Sequence, residues 1–183
     1  MTFTLVLVCL LSSLCLAVTS KLLSPTIDIN NDNKLTGALK EVLPGASSFY
    51  SPEWFVDAFS AYPDVESVYI GKSETGSVGF AIIYLAPGYN DNIKLLVGIT
   101  ADKISDVKIL SHQETPGLGS RITETRFISQ FSGKQLSSKK QDFDTITGAT
   151  ISSTAVVAGV LDTLSSLDAL SSEQKLKLGL DDQ

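Results

Sequence analysis

Four apolar segments follow one another between Val65 and Leu110 with only short gaps between them, which leaves the chain few ways to bury them. They are Val65–Ile70, Val78–Leu85, Ile93–Thr100 and Ile104–Leu110. In the second, Val78, Phe80, Ile82 and Tyr84 alternate with their neighbours, and in the third Ile93, Leu95, Val97 and Ile99 do the same. That is the period of a strand, whose successive side chains face opposite sides of a sheet. Gly, Pro, Asn and Asp punctuate the gaps. Consecutive strands joined by short turns favour antiparallel pairing, because a parallel crossover needs about a dozen residues or more.

Helical spacing flanks this run. Leu35–Leu43 places Leu35, Ala38, Leu39, Val42 and Leu43 on one side and stops at Pro44-Gly45. Pro52–Tyr62 reads as a second short helix carrying Trp54, Phe55 and Phe59, and Thr123–Phe131 as a third through Phe127, Ile128 and Phe131. Ser153–Leu167 has the clearest stripe, made of Val156, Val157, Val160, Leu161 and Leu164. The expected fold is α+β, a single domain over 35–170 with an antiparallel sheet flanked by helices. A polar tail follows over 171–183.

Residues Met1–Ser20 contain no charged side chain, and a helix of that length spans roughly 30 Å, about one hydrocarbon core. A cleaved signal peptide is the rival reading. It normally has a basic start and a small-x-small cleavage site, and this chain has no Lys or Arg before the apolar run. The preferred reading is therefore an uncleaved transmembrane anchor over 1–20 and a linker over 21–34. With no second spanning segment behind it, the domain is expected on the extracytoplasmic side.

The inventory removes several chemistries. Fourteen basic residues face twenty acidic ones, and the formal net charge is −6. The basic residues are scattered, so no face suits a phosphate backbone and nucleic acid is not an expected partner. Cys9 and Cys15 both lie in the apolar N-terminal stretch, which leaves the domain without a disulfide or a thiolate metal site. His112 is the only histidine. No residue reads as a metal ligand, and any redox chemistry needs an organic cofactor.

Two segments stand apart from ordinary connections. Ser111–Gly119, SHQETPGLG, gathers the histidine, a carboxylate, a Pro-Gly turn and the glycines Gly117 and Gly119. A plain surface turn and a ligand loop approached closely by backbone both fit it. Asp144–Ser153, DTITGATISS, sets several hydroxyls at the start of the strongest helix. Helix capping explains hydroxyls there, and so does an anion site, since exposed N–H groups and the helix dipole favour negative charge.

DTITGAT is similar to the flavinylation motif Asp-x-x-Ser/Thr-Gly-Ala-Thr, and HQETPGLG resembles the second signature of the same FMN-binding domain. Together they resemble the FMN-binding subunits of two related ion pumps. These are the G subunit of the Rnf electron transport complex and the C subunit of the sodium-pumping NADH:quinone oxidoreductase. Leu43-Pro44-Gly45-Ala46 and Pro87-Gly88-Tyr89 extend the likeness, while Asn90-Asp91-Asn92 replaces a glycine-containing turn.

The resemblance implies FMN joined through its phosphate to Thr150 by a separate flavin transferase that uses FAD and releases AMP. Asp144, Thr147, Gly148 and Ala149 match the remaining motif positions. It further implies that Glu114, Thr115, Gly117, Leu118 and Gly119, with His112, surround the flavin ring. The function implied is that of an electron-carrying subunit in the cytoplasmic membrane, not an enzyme by itself. Its partners would be the other subunits of an Rnf-type complex that couples ferredoxin/NAD electron transfer to Na⁺ or H⁺ movement. The competing readings are an FMN-binding domain of another membrane reductase and a flavin-free exported binding module.

Overall fold

The structure is a computed structural model that describes residues 12–13, 33–74, 76–101, 103–167 and 170. The chain divides into two compact units, Met1–Gly37 and Ala38–Gln183, and the sheet and the long helix both belong to the second. The expected anchor, apart from 12–13, and the expected tail lie outside the described residues. Among the described residues no helix is long and apolar enough to cross a membrane.

Five strands form one antiparallel sheet in the order β1-β2-β3-β4-β5: Ser48–Tyr50, Val65–Ser73, Gly76–Pro87, Asn92–Thr100 and Lys103–Ser111. The four longer strands contain the four expected from the alternation. β1 is additional, a three-residue edge that pairs Ser48 with Lys72. In β3 and β4 the alternating set Phe80, Ile82, Tyr84, Ile93, Leu95, Val97 and Ile99 joins the main core cluster. The opposite set is buried as well, with Ala81 and Leu96 at 0% exposure. Both faces of the central strands are therefore covered, which explains why FAIIYLA reads as a nearly continuous apolar run.

Helix α1 (33–42) contributes Ala38, Leu39 and Val42 to this second unit, all buried, with Leu43 just beyond it. Ser105 of β5 donates a hydrogen bond to the Val42 carbonyl. The main cluster is closed by the longest helix of the domain, Thr150–Ser166, through Val156, Val157, Val160 and Leu164. Full burial of such a side chain contributes about 1.5–3 kcal/mol. The helix also buries Thr163 and Ser166, whose hydroxyls donate to the carbonyls of Gly159 and Thr163 at 2.8 and 2.7 Å. Buried hydroxyls are tolerated where they are hydrogen-bonded, as these are within their own helix. Tyr84 of β3 reaches Asp162 on this helix, oxygen to oxygen, at 3.2 Å. Burial, reinforced by the Asp162 carboxylate, pushes the Tyr84 phenol above its usual pKa.

The other two expected helices are shorter than their apolar spacing suggests. Only Phe55–Ala58 (α2) and Thr125–Ile128 (α3) are α-helical, the latter after a 3₁₀ turn at Gly119–Thr123. Around α3 the aromatic residues make a local cluster instead of a helix face. Phe127 and Phe131 meet edge to face at 5.6 Å, and Phe131 stacks on Phe143 at 5.0 Å. The long helix, α4, begins at Thr150, ahead of the expected Ser153.

Candidate functional site

Phe143, Ile146 and Ala149 are buried, while Asp144, Thr145, Thr147, Gly148 and Thr150 are exposed. This three-residue rhythm pins the loop to the core and turns its polar side chains outward. Its backbone is braced from several directions. Gln130 accepts the Asp144 N–H at 2.7 Å and donates to the Asp144 carbonyl at 3.2 Å. Arg121 donates to the Thr147 carbonyl at 3.3 Å, and Ser153 Oγ accepts the Ile146 N–H at 3.0 Å. Gly148 takes a left-handed φ of 83°, the conformation that glycine allows without strain. The Thr150 hydroxyl has no hydrogen-bond partner among the described residues.

Capping does not account for these hydroxyls. The N-cap of α4 is Ala149, and no side chain caps the helix. Ser153 donates to the Ala149 carbonyl at 2.8 Å, and Ser152 turns away to Glu114. The first-turn N–H groups of an α-helix have no partner within it, so the positive end of a long helix adjoins Thr150.

The other segment comes to the same place. Glu114 is 4% exposed, and its two carboxylate oxygens are occupied by the protein. Oε1 accepts the N–H groups of Tyr89 and Asn90 at 2.8 and 3.3 Å, and Oε2 accepts the Ser152 hydroxyl at 2.5 Å. A Cβ at Gly88 would lie 2.4 Å from Oε1, and one at Gly119 would lie 2.6 Å from Oε2. Glycine at both positions is what leaves room for the carboxylate.

These contacts build a cleft of about 450 Å³, lined by Tyr89, Glu114, Thr115, Leu118, Gly119 and the stretch Gly148–Ser152. Three large apolar side chains on its walls face solvent: Tyr89, Leu118 and Ile151, at 64%, 52% and 58% exposure. Such exposure in a concave, mostly preformed site is what a flat apolar ligand would cover. The cleft thus combines an apolar wall, the N-terminus of a long helix and an unengaged threonine hydroxyl.

Of the residues singled out in the sequence, Glu114, Thr115, Leu118, Gly119, Gly148, Ala149 and Thr150 line this cleft. Asp144 and Thr147 line a neighbouring cavity of about 410 Å³ with Arg121, Arg126 and Gln130. Gly117 and His112 line neither. His112 Nδ1 instead accepts the Glu114 N–H at 3.2 Å, and Gly117 is a left-handed turn residue with φ 75°. Sequence reasoning did not single out Tyr89, Ile151 or Ser152 as site residues. Tyr89 and Ile151 carried a usable signal, as large apolar residues placed off any core-facing pattern.

Residues 88–165 match the family described as FMN-binding domain. Over 166 residues the chain is 33% identical to the G subunit of the ion-translocating oxidoreductase complex of Vibrio vulnificus (strain YJ016), covering 81% of this chain and 79% of that one. Over 106 residues it is 47% identical to the protein of the same name from Shewanella baltica (strain OS223). There the match covers half of each chain, so it spans about half the length of that relative. Among solved structures, the crystal structure of Shewanella oneidensis NqrC aligns with a TM-score of 0.48 and 20% identity, over 66% of each chain.

Proposed function

Because the chain belongs to the family of G subunits of ion-translocating oxidoreductase complexes, we propose that it is an electron-carrying subunit that holds FMN covalently on Thr150. The observation that carries this reading is the cleft itself. Glu114, Thr115, Leu118 and Gly119 of HQETPGLG and Gly148, Ala149 and Thr150 of DTITGAT line one concavity with exposed apolar walls, and Thr150 itself is exposed. FMN, when bound, supplies one-electron redox chemistry. The chain supplies position and environment.

Leu118, Ile151 and Tyr89 offer apolar surface to a flat ring, and Thr115 offers a hydroxyl at its edge. The start of α4 favours the single negative charge of a phosphodiester at Thr150 by about 0.3–1 kcal/mol for an exposed group. Attachment is carried out by a separate flavin transferase that meets the exposed Asp144 and Thr147 side chains. The electrons pass within an Rnf-type complex between ferredoxin and NAD, coupled to Na⁺ or H⁺ movement, and the other subunits of that complex are the partners. Expression together with the transferase should add one phosphoflavin to the intact mass of the chain. A chain that stays colourless and unmodified under those conditions is instead a flavin-free binding module.

The proposed setting is the cytoplasmic membrane, with a single anchor over 1–20 and the domain on the extracytoplasmic side. Protease added to intact spheroplasts should digest the domain. Protection that lasts until the membrane is lysed would reverse this topology.

A further inference from the structure

We infer that Glu114 is a positioning residue, which with Ser152 locks the three walls of the cleft together and does not itself bind the flavin. The inference rests on the FMN reading of the cleft and assigns a role within it. Family resemblance places Glu114 against the ring, yet both of its carboxylate oxygens are already held by the protein. Oε1 holds the Tyr89 and Asn90 N–H groups of the β3–β4 turn, and Oε2 holds the Ser152 hydroxyl on the first turn of α4. Its own N–H is taken by His112 Nδ1. A single side chain, 4% exposed, thus joins the turn that bears Tyr89, the loop that bears Leu118 and the helix that bears Thr150 and Ile151.

The surroundings close tightly around the Glu114 head group. A Cβ at Gly88 or Gly119 would meet its oxygens at 2.4 or 2.6 Å, and a Cβ at Gly119 would also lie 2.7 Å from Ser152 Oγ. Charged acceptors make the stronger hydrogen bonds, and a buried network holds its shape only when every member is satisfied. Glu114 therefore acts on a bound flavin through the distance between Tyr89, Leu118 and Ile151, which sets how tightly the ring is enclosed.

The test uses the full chain, made with the transferase, with every reading normalised to the flavin found by intact mass. The visible circular dichroism of the flavin, its quenching by iodide and its midpoint potential are recorded for Ser152→Ala, Glu114→Ala and Glu114→Gln. The two alanine variants should lose the dichroic band, gain iodide access and shift in potential. Glu114→Gln should restore all three readings toward wild type. Its amide oxygen can accept from Tyr89 and Asn90 while its NH₂ donates to Ser152.

Wild-type readings in Ser152→Ala would overturn the inference, and that variant decides alone if Glu114→Ala does not fold. A potential in Glu114→Gln displaced as far as in Glu114→Ala would also overturn it, because the carboxylate charge would then act on the flavin directly. Absence of attached flavin on the wild-type chain would instead remove the FMN reading beneath it.

Discussion

Thr150→Ala should abolish covalent flavin and leave the domain as stable as the wild-type chain without flavin. From sequence alone the hydroxyl had two possible duties, helix cap and acceptor, and removal of a cap costs about 0.5–2 kcal/mol. The structure removes the first duty, since Ala149 is the N-cap and no side chain caps α4. Thr150 is also exposed, and its side chain has no hydrogen-bond partner among the described residues. Exposed substitutions of this kind stay within about 0.5 kcal/mol, and alanine is the better helix former. The expected result is therefore total loss of in-gel flavin fluorescence, with the thermal midpoint of the wild-type chain made without the transferase.

The choice of control follows from the same geometry. Ser152 and Ser153 are neighbouring hydroxyls, but each holds buried hydrogen bonds, so their replacement disturbs more than attachment. Thr145 is exposed on the same loop and makes no hydrogen bond among the described residues through its side chain. Thr145→Ala should keep full fluorescence. Fluorescence that survives in Thr150→Ala, with a labelled peptide mapping to another residue, would move the acceptor elsewhere.

The parts of the fold governed by local periodicity were legible in the sequence, and the parts governed by long-range contacts were not. β3 and β4 follow from alternation. β1 could not, because Ser48–Tyr50 has no pattern of its own and exists by pairing with the end of β2. Apolar residues at Phe127, Ile128 and Phe131 mimic a helical face, but the Phe131 ring stacks on Phe143, beyond the reach of any helix period. The start of α4 was hidden because its N-cap, Ala149, carries none of the usual capping chemistry. In the site, both unusual segments could be recognised one by one. Their convergence was expected only from the family resemblance. It could not be read from the residues themselves, since it depends on Glu114 meeting Tyr89 across 25 residues and Ser152 across 38.

Phe131→Ala should be the most damaging single change among the residues that support the motif loop. Phe131 is fully buried, with Phe127 edge-on at 5.6 Å and Phe143 stacked at 5.0 Å. Truncation of a buried phenylalanine costs about 3–5 kcal/mol, through lost transfer energy and the cavity left behind. For a domain with roughly 5–15 kcal/mol in total, this is a large share. At about 2–4 °C per kcal/mol for a domain somewhat larger than this one, the thermal midpoint should fall by roughly 6–20 °C. The damage should also be directional. Phe143 opens the buried series that continues through Ile146 and Ala149, so a cavity beside it loosens the first of three anchors under the proposed attachment motif. Amide hydrogen exchange over 143–149 should accelerate more than exchange in β3 and β4, whose core contacts remain. A uniform acceleration across the domain, or a midpoint within about 2 °C of wild type, would show that the aromatic cluster does not hold the loop.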